Sequence, residues 1–367
     1  MRYSRISLLD SDSFEGESMP RGRTTIADIA SEVGVSVPTV SKVLNGRTDV
    51  AAATRTRVEE ALERHGYRKP VATRTAAATR PGVRLLDLVF HAADNLWAQE
   101  IIKGVEQVCG PERVGVVLSE LGGSHRPPQE WIDDVMARRP LGVLLVLSGL
   151  DAKQRHQLAS RNIPFAVVDT QGEPPSGVPT VGSNNWNGGL SGTRHLLALG
   201  HRRIAAISGP DDMLCSRARV DGFRSAHDEV GVPWDPDLIR WGAFDAESGY
   251  RHGREVLDRP DRPTAVFAGS DYQALGVLRA ARELGLRVPE DISVVGYDDL
   301  PISQWLDPAL TTVHQPLREM ASLATRMLLT LAAGGQPPSM QVELVTELVI
   351  RSSTAPPPAT TTTGAGR

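Results

Sequence analysis

The stretch from Thr24 to Asn45, TTIADIASEVGVSVPTVSKVLN, constrains this chain more than any other. Its apolar residues fall at helical spacing in two short runs, Ile26, Ile29, Ala30 and Val33, then Val40, Val43 and Leu44. Gly34 stands between them, where a helix that must stop sharply needs a residue tolerant of positive φ. Thr25 and Asp28 have the spacing of a capping box. Ser36 can cap the second run, and Pro38 falls in its first turn, where a missing N–H costs little. Ala30 is small enough for a second helix to cross close by. The pattern is that of a helix-turn-helix, a device that lays one helix in the DNA major groove. Thr39, Ser41, Lys42 and Asn45 are left pointing outward. Asp49 to His65 reads as a third helix with Val58, Ala61 and Leu62 inward and Gly66 as its stop.

The charge distribution agrees with that reading although the total does not. The net charge of the 367 residues is −4, yet residues 21–80 carry eleven Lys and Arg against six Asp and Glu. A basic head on an acidic body is the asymmetry of a DNA reader joined to a sensor. No stretch approaches a transmembrane run and residues 1–23 are too polar for a signal peptide, so a cytoplasmic protein is expected. Cys109 and Cys215 are the only cysteines, which argues against a disulfide framework and against a cysteine zinc site. The chain holds no G-x-S-x-G, no H-E-x-x-H, no Walker loop and no G-x-G-x-x-G between strand and helix. Neither enzyme activity, cofactor nor metal is expected.

Beyond the head, GYRKPVATRTAAATRPG has no apolar face worth burying and reads as a hinge over 70–82. From Val83 short apolar runs (VRLLDLVF, VGVVLSE, LGVLLVL, IPFAVVD) alternate with amphipathic stretches, and a second such series follows from RIAAISG to ISVVGYDD. That alternation predicts βαβ units and two parallel sheets. TTVHQPLREMASLATRMLLTLAAGG adds a long helix and QVELVTELVIR a single final strand. Residues 1–23 and the Pro/Ala/Thr tail at 355–367 are expected to be disordered. Two α/β lobes with a cleft between them suit a small-molecule sensor, because ligands bind at the carboxyl ends of parallel strands.

These pieces together resemble the lac-repressor/purine-repressor (LacI/GalR-type) family of bacterial transcription regulators. TTIADIA, GVSVPTVSKVLNG and HGYR carry the likeness in the head. HLLALGHRRIAAISGP, RARVDGF, SGY, the run from Pro263 to Asp299, LTTVHQP and ELVIRSST carry it in the body. The resemblance implies a multidomain chain, with a small all-α head over 24–69 and an α/β two-lobed core like a periplasmic binding protein over 83–354. Lobe 1 would take about 83–180 and 313–338, and lobe 2 about 181–310 and 341–354. It further implies a ligand-responsive repressor acting as a homodimer on a palindromic double-stranded operator. The sequence offers no membrane-spanning run, so no membrane partner is expected, and the tail lacks leucine heptads, so no C-terminal coiled coil is expected.

Carried over residue by residue, the resemblance places Val37, Pro38 and Lys42 at base edges, with Lys42 able to donate to guanine O6 or N7. Thr25, Ser36, Thr39, Ser41 and Asn45 would hold phosphates. The family's hinge wedges a leucine into the minor groove. Its place here is Ala76, and residues 69–80 contain no Leu, Ile, Met or Phe, so a smaller operator bend is expected. In the core the matching effector positions are Asp169, Arg219, Phe244 and Asp298, all expected at strand ends or adjoining loops, with Trp97 stacking on the ligand or walling the cleft. Carboxylates and Arg for hydroxyls, with an aromatic face for ring C–H groups, fit a sugar or sugar derivative. A nucleoside or nucleobase is the alternative. Ser270 and Asn184 stand where the family often has Asn and Asp.

Overall fold

The computed structural model describes residues 25–44, 50–65, 83–170, 172 and 176–358. The chain forms two compact units, one ending at Ala78 and one beginning at Thr79. The expectations for the 1–23 tail, for Asn45, and for the 70–82 hinge with Ala76 fall outside the described residues.

In the first unit, α1 (Ile26–Val33) and α2 (Val37–Leu44) are joined by a turn in which Gly34 takes φ +68°, and α3 (Ala52–Arg64) packs across both. The Thr25–Asp28 capping box closes as the spacing predicts, and Asp28 Oδ2 accepts from both the Thr25 N–H and the Thr25 hydroxyl at 2.7 Å. Ile29, Ala30, Val33, Val40, Val43, Val58 and Ala61 form the core. Leu44 and Leu62 are only partly buried at its edge. Arg57 reaches from α3 to the Val33 carbonyl at 2.6 Å, satisfying an acceptor at the end of α1.

The second unit contains two six-stranded sheets. The first is ordered β11-β5-β4-β3-β1-β2 and comprises β1 (Leu85–Phe90), β2 (Gly115–Glu120), β3 (Gly142–Val146), β4 (Phe165–Val168), β5 (Thr180–Ser183) and β11 (Gln341–Leu344), all parallel. Helices α4 (Leu96–Cys109) and α11 (Leu317–Ala332) cover one face, and α5 (Gln129–Arg138) and α6 (Ala152–Ser160) the other. The second sheet is ordered β12-β10-β9-β8-β6-β7 and comprises β6 (Ile204–Ser208), β7 (Ile239–Trp241), β8 (Ala265–Ala268), β9 (Ser293–Asp298), β10 (Thr311–His314) and β12 (Glu347–Val349). Only β12 runs antiparallel. Helices α7 (Asn185–Ala198) and α8 (Leu214–Glu229) lie on one face, α9 (Ala246–Leu257) and α10 (Asp271–Glu283) on the other. On β6, Ile204 and Ala206 point to the first pair and Ala205 and Ile207 to the second. Burial on both faces is why these strands read as continuous apolar runs.

Three departures from the sequence reading concern where the chain changes sheet. QVELVTELVIR is not one strand: β11 pairs with β5 in the first lobe, and β12 with β10 in the second. The exposed Val345 and buried Thr346 cross between them, and the Thr346 hydroxyl donates to the Asn184 carbonyl at 3.2 Å. β5 belongs to the first lobe and β10 to the second, so the crossovers fall after Ser183 and after His314 rather than at 180 and 313. Apolar alternation marks a strand but not the sheet edge it joins. Residues 355–358, expected to belong to the disordered tail, are described, while 359–367 lie outside the described residues. Ser353 is buried and donates to the Val294 carbonyl at 2.6 Å, while the Ala355 N–H donates to Ser293 Oγ and its carbonyl accepts from the Ser293 hydroxyl, each at 3.0 Å.

Helices α7 and α8 approach closely because glycines face each other. A Cβ on Gly189 would lie 2.0 Å from the Arg219 carbonyl oxygen, and one on Gly222 would lie 2.1 Å from that of Trp186. This approach fixes Arg219 over the carboxyl ends of the second sheet.

Candidate functional site

In the head, α2 presents the residues expected to read DNA. Val37 is 46% exposed, and Pro38 and Lys42 are also exposed. Thr39 and Ser41 are partly buried on its flank. Ser36 caps the helix: its hydroxyl accepts the Thr39 N–H at 3.4 Å and lies 2.9 Å from the Thr39 hydroxyl. The Thr25 hydroxyl is held by Asp28, so among the residues expected at phosphates it already has a donor role within the capping box. The helix offers a short apolar patch followed by a cation one turn on, a combination suited to a thymine methyl beside a guanine.

In the core, three of the residues expected to hold the effector, Arg219, Phe244 and Asp298, lie together around the Arg219 guanidinium. This side chain is 4% exposed. It lies inside α8 rather than at a strand end or loop, which corrects the sequence expectation for this residue. Its Nε donates to Asn185 Oδ1 at 2.8 Å, Nη1 to the Gly269 carbonyl, and Nη2 to Gln315 Oε1 at 3.4 Å. The guanidinium carbon stands 3.7 Å from the Tyr297 ring centroid and 5.3 Å from that of Phe244. Both distances are within cation–π range. Asp298 Oδ1 lies 3.9 Å from Nη1, an ion pair too long for a hydrogen bond.

Two carboxylates in this cluster keep accepting capacity. Asp298 ends β9 and takes φ +105°, and Asp169 follows β4 with φ +47°. Both conformations are uncommon for residues with a Cβ and store backbone strain where the chain must aim a side chain. Asp169 Oδ2 accepts from Gln315 Nε2 at 3.0 Å, and the same amide donates to Ser183 Oγ at 3.0 Å. Burial pushes the Asp169 carboxyl up to about 6 against the pull of Arg219. Burial likewise raises Asp298 well above the usual carboxylate range, Arg219 opposing and Asp271 and Asp169 adding to the shift.

Asp271 serves a different purpose. Its oxygens accept from the Leu300 N–H at 2.7 Å and from the Ser303 and Thr312 hydroxyls at 2.6 and 2.5 Å. It pins the loop after β9 and is satisfied within the protein. Ser270 and Asn184, which stand at departures from the family pattern, are helix caps: Ser270 Oγ accepts the Gln273 N–H, and Asn184 Oδ1 the Asn187 N–H.

The structure therefore brings Arg219, Phe244 and Asp298 together directly and ties Asp169 to them through Gln315. Trp97 packs, half-buried, against the first-lobe core together with Tyr272 of the second lobe, whose hydroxyl accepts the Leu96 N–H at 3.0 Å. It thus stands at a junction of the lobes. Sequence reading missed Asn185, Tyr297 and Gln315. Asn185 and Gln315 sit in the first and second crossovers, and only the fold shows that a crossover lies under the cleft.

A three-helix DNA-binding head carried in one chain with a two-sheet core of this topology defines a class, the DNA-binding transcription regulators with a ligand-binding core. Residues 25–69 match the bacterial regulatory proteins of the lacI family, and residues 193–354 match the periplasmic binding protein-like domain. The HTH-type transcriptional repressor PurR of Vibrio vulnificus is 32% identical over 330 residues, spanning 90% of this chain and 98% of that one. The transcriptional regulator CelR in complex with cellobiose is 32% identical with a TM-score of 0.67, covering 90% of this chain and 100% of that one. The lac repressor dimer bound to operator and the anti-inducer ONPF is 29% identical with a TM-score of 0.64, covering 90% and 99%. This chain belongs to the lacI family of bacterial regulatory proteins. No helix among the described residues is long and apolar enough to cross a membrane.

Gln315→Leu should strip Arg219 and Asp169 of their shared partner while preserving volume. The expected loss is about 1–3 kcal/mol of core stability, the cost of leaving buried polar groups unpaired. The urea midpoint of the core transition measures it; an unchanged midpoint removes Gln315 from the hub.

Proposed function

We propose that this protein is a repressor that binds a two-fold symmetric operator as a homodimer and is switched by a sugar or sugar derivative held between the lobes. The observation that carries the effector reading is the Asp298 carboxylate. It is buried beside Arg219, too far from it for a hydrogen bond, and the same guanidinium stands 5.3 Å from the half-buried Phe244 ring. Hydroxyl donors on a ligand complete such a carboxylate, and ring C–H groups suit the aromatic face. The dimer reading rests on the solved lac repressor dimer–operator complex and on the need for two heads to match two half-sites. A CelR structure holds cellobiose and a lacI-family regulator from Enterococcus faecium holds ribose, which supports the sugar class.

The switch follows from linkage. Gln315 lies in the second crossover and holds Asp169 of the first lobe and Arg219 of the second on one side-chain amide. A ligand engaging Asp169 and Asp298 changes the free energy of that bridge and with it the preferred angle of the lobes. Its effect on DNA affinity equals its differential affinity for the two states.

Lys42 is the charged base reader in this proposal. Lys42→Ala should lower operator affinity about tenfold and leave non-specific binding only modestly weaker, since one donor to a base edge contributes on the order of 1 kcal/mol or more. Gel shifts on operator and random duplexes measure this, and equal losses on both would make Lys42 a phosphate contact. Circularly permuted probes in the same assay should show little central bending, because Ala76 supplies no apolar wedge; a sharp central kink would overturn that part. Effector affinity should depend on pH. Hydroxyls donating to Asp169 favour its charged form, so binding lowers a carboxyl that sits at about 6 in the free protein and releases protons. Affinity should therefore fall roughly tenfold from about pH 7.5 to about pH 5. Isothermal titration across that range checks the sign, and rising affinity toward acid would contradict it.

A further inference from the structure

One cavity in the core is not explained by the Arg219 cluster. It has a volume of about 660 Å³, within the range of small-molecule sites. It opens between the edge of the first sheet, at β5 and β11, and the first turns of α7 and α8 in the second lobe. Of the residues expected to hold the effector, only Asp169 lines it; Arg219, Phe244, Asp298 and Trp97 do not. The cavity is therefore an annex that adjoins the effector cluster at Asp169 and at two of the cluster's hydrogen-bond partners, Ser183 and Asn185.

Its chemistry is specific. Trp186 in the first turn of α7 and Leu214 at the start of α8 both line it and are 43% and 38% exposed, although both are large apolar side chains. Asp169 and Glu343 supply acceptors from the first lobe. Asn184 spends its amide oxygen on the Asn187 N–H, leaving its NH2 as a donor, and Thr180 adds a hydroxyl. No Lys, Arg or His lines the cavity among the described residues. An anionic group entering here would meet two carboxylates and no cation. An ammonium is poorly served too, since Asp169 already faces Arg219 and accepts from Gln315, while Glu343 is exposed to water. An aromatic face with acceptors, an amide donor and no basic group is the composition that holds an uncharged pyranose, C–H face on the indole and hydroxyls on the carboxylates.

We infer that this cavity beside the inter-lobe crossovers, with Trp186 as its stacking platform and Asp169 and Glu343 as hydroxyl acceptors, is a second saccharide subsite, and that the effector is a neutral sugar of at least two rings. The inference rests on the sugar reading of the Arg219 cluster and extends it. A ring bound there touches both lobes beside the first and third crossovers, where small displacements change the lobe angle most.

The test is isothermal titration of the full-length protein with cellobiose, maltose, trehalose and lactose, their component monosaccharides, the corresponding monosaccharide phosphates, and spermidine. At least one neutral disaccharide should bind ten times or more tighter than its monosaccharides, with a shift in tryptophan fluorescence. Trp186→Ala should remove that advantage and leave the monosaccharide affinity as it was, Trp186→Phe should restore most of it, and Asp298→Asn should remove both. Thermal unfolding of each variant separates loss of the site from loss of the fold. Tighter binding of a sugar phosphate overturns the annex, as does a disaccharide advantage that survives Trp186→Ala; in either case a loss of binding in Asp298→Asn leaves the effector reading standing, whereas tighter binding of spermidine overturns both. Binding that needs Trp186 but not Asp298 overturns the effector reading and keeps the annex. Silence from every neutral saccharide overturns both.

Discussion

The burial of the Arg219 guanidinium is the constraint on which the sensor depends. A charge removed from water must be paired and hydrogen-bonded, and removing one partner costs far more than the pair contributes. The partners here come from separate parts of the chain: Asn185 at the first crossover, Gln315 at the second, and the Gly269 carbonyl at the end of β8. Satisfying one side chain therefore fixes the two crossovers relative to the second sheet. The glycine-lined approach of α7 to α8 is part of the same requirement, because a wider helix spacing would withdraw Arg219 from its acceptors.

Around that cation the acidic residues divide by how completely the protein satisfies them. Asp271 has three protein donors and holds a loop. Asp298 and Asp169 are also buried but sit in strained backbone, Asp169 accepting from Gln315 and Asp298 lying 3.9 Å from Arg219. Burial raises all three carboxyls, so the shift alone does not distinguish structure from function. Hydrogen-bond inventory does. A carboxylate completed within the fold is structural, and one completed only by a ligand is poised to couple ligand binding to lobe geometry.

The head is self-sufficient by comparison. Its seven buried apolar side chains, its closed capping box and the Arg57–Val33 hydrogen bond hold three short helices together. What it presents outward is brief: two apolar residues and a lysine on α2. The hinge sequence contains no Leu, Ile, Met or Phe over residues 69–80, which is why the proposed operator readout is assigned to that helix.

By itself the sequence determined the kinds of element and the partner class. Local rules set these: the Thr25–Asp28 spacing, Gly34 between two amphipathic runs, and apolar strands buried on both faces all act within a few residues of chain. The sequence also named Asp169, Arg219, Phe244 and Asp298 through motifs that surround them. Only the tertiary structure decided which sheet β5, β10 and β11 join, because an apolar run carries no address for its pairing partner. It alone placed Gln315 and Asn185 beneath the cleft, since their neighbours lie up to 146 residues away. It anchored Ser353 and Ala355, which look like tail by composition, through hydroxyls on β9. Trp186 is the clearest case. Within α7 it reads as one more apolar helical residue. Only the fold shows it exposed and lining a cavity together with residues of β5 and β11, which pair in the first sheet.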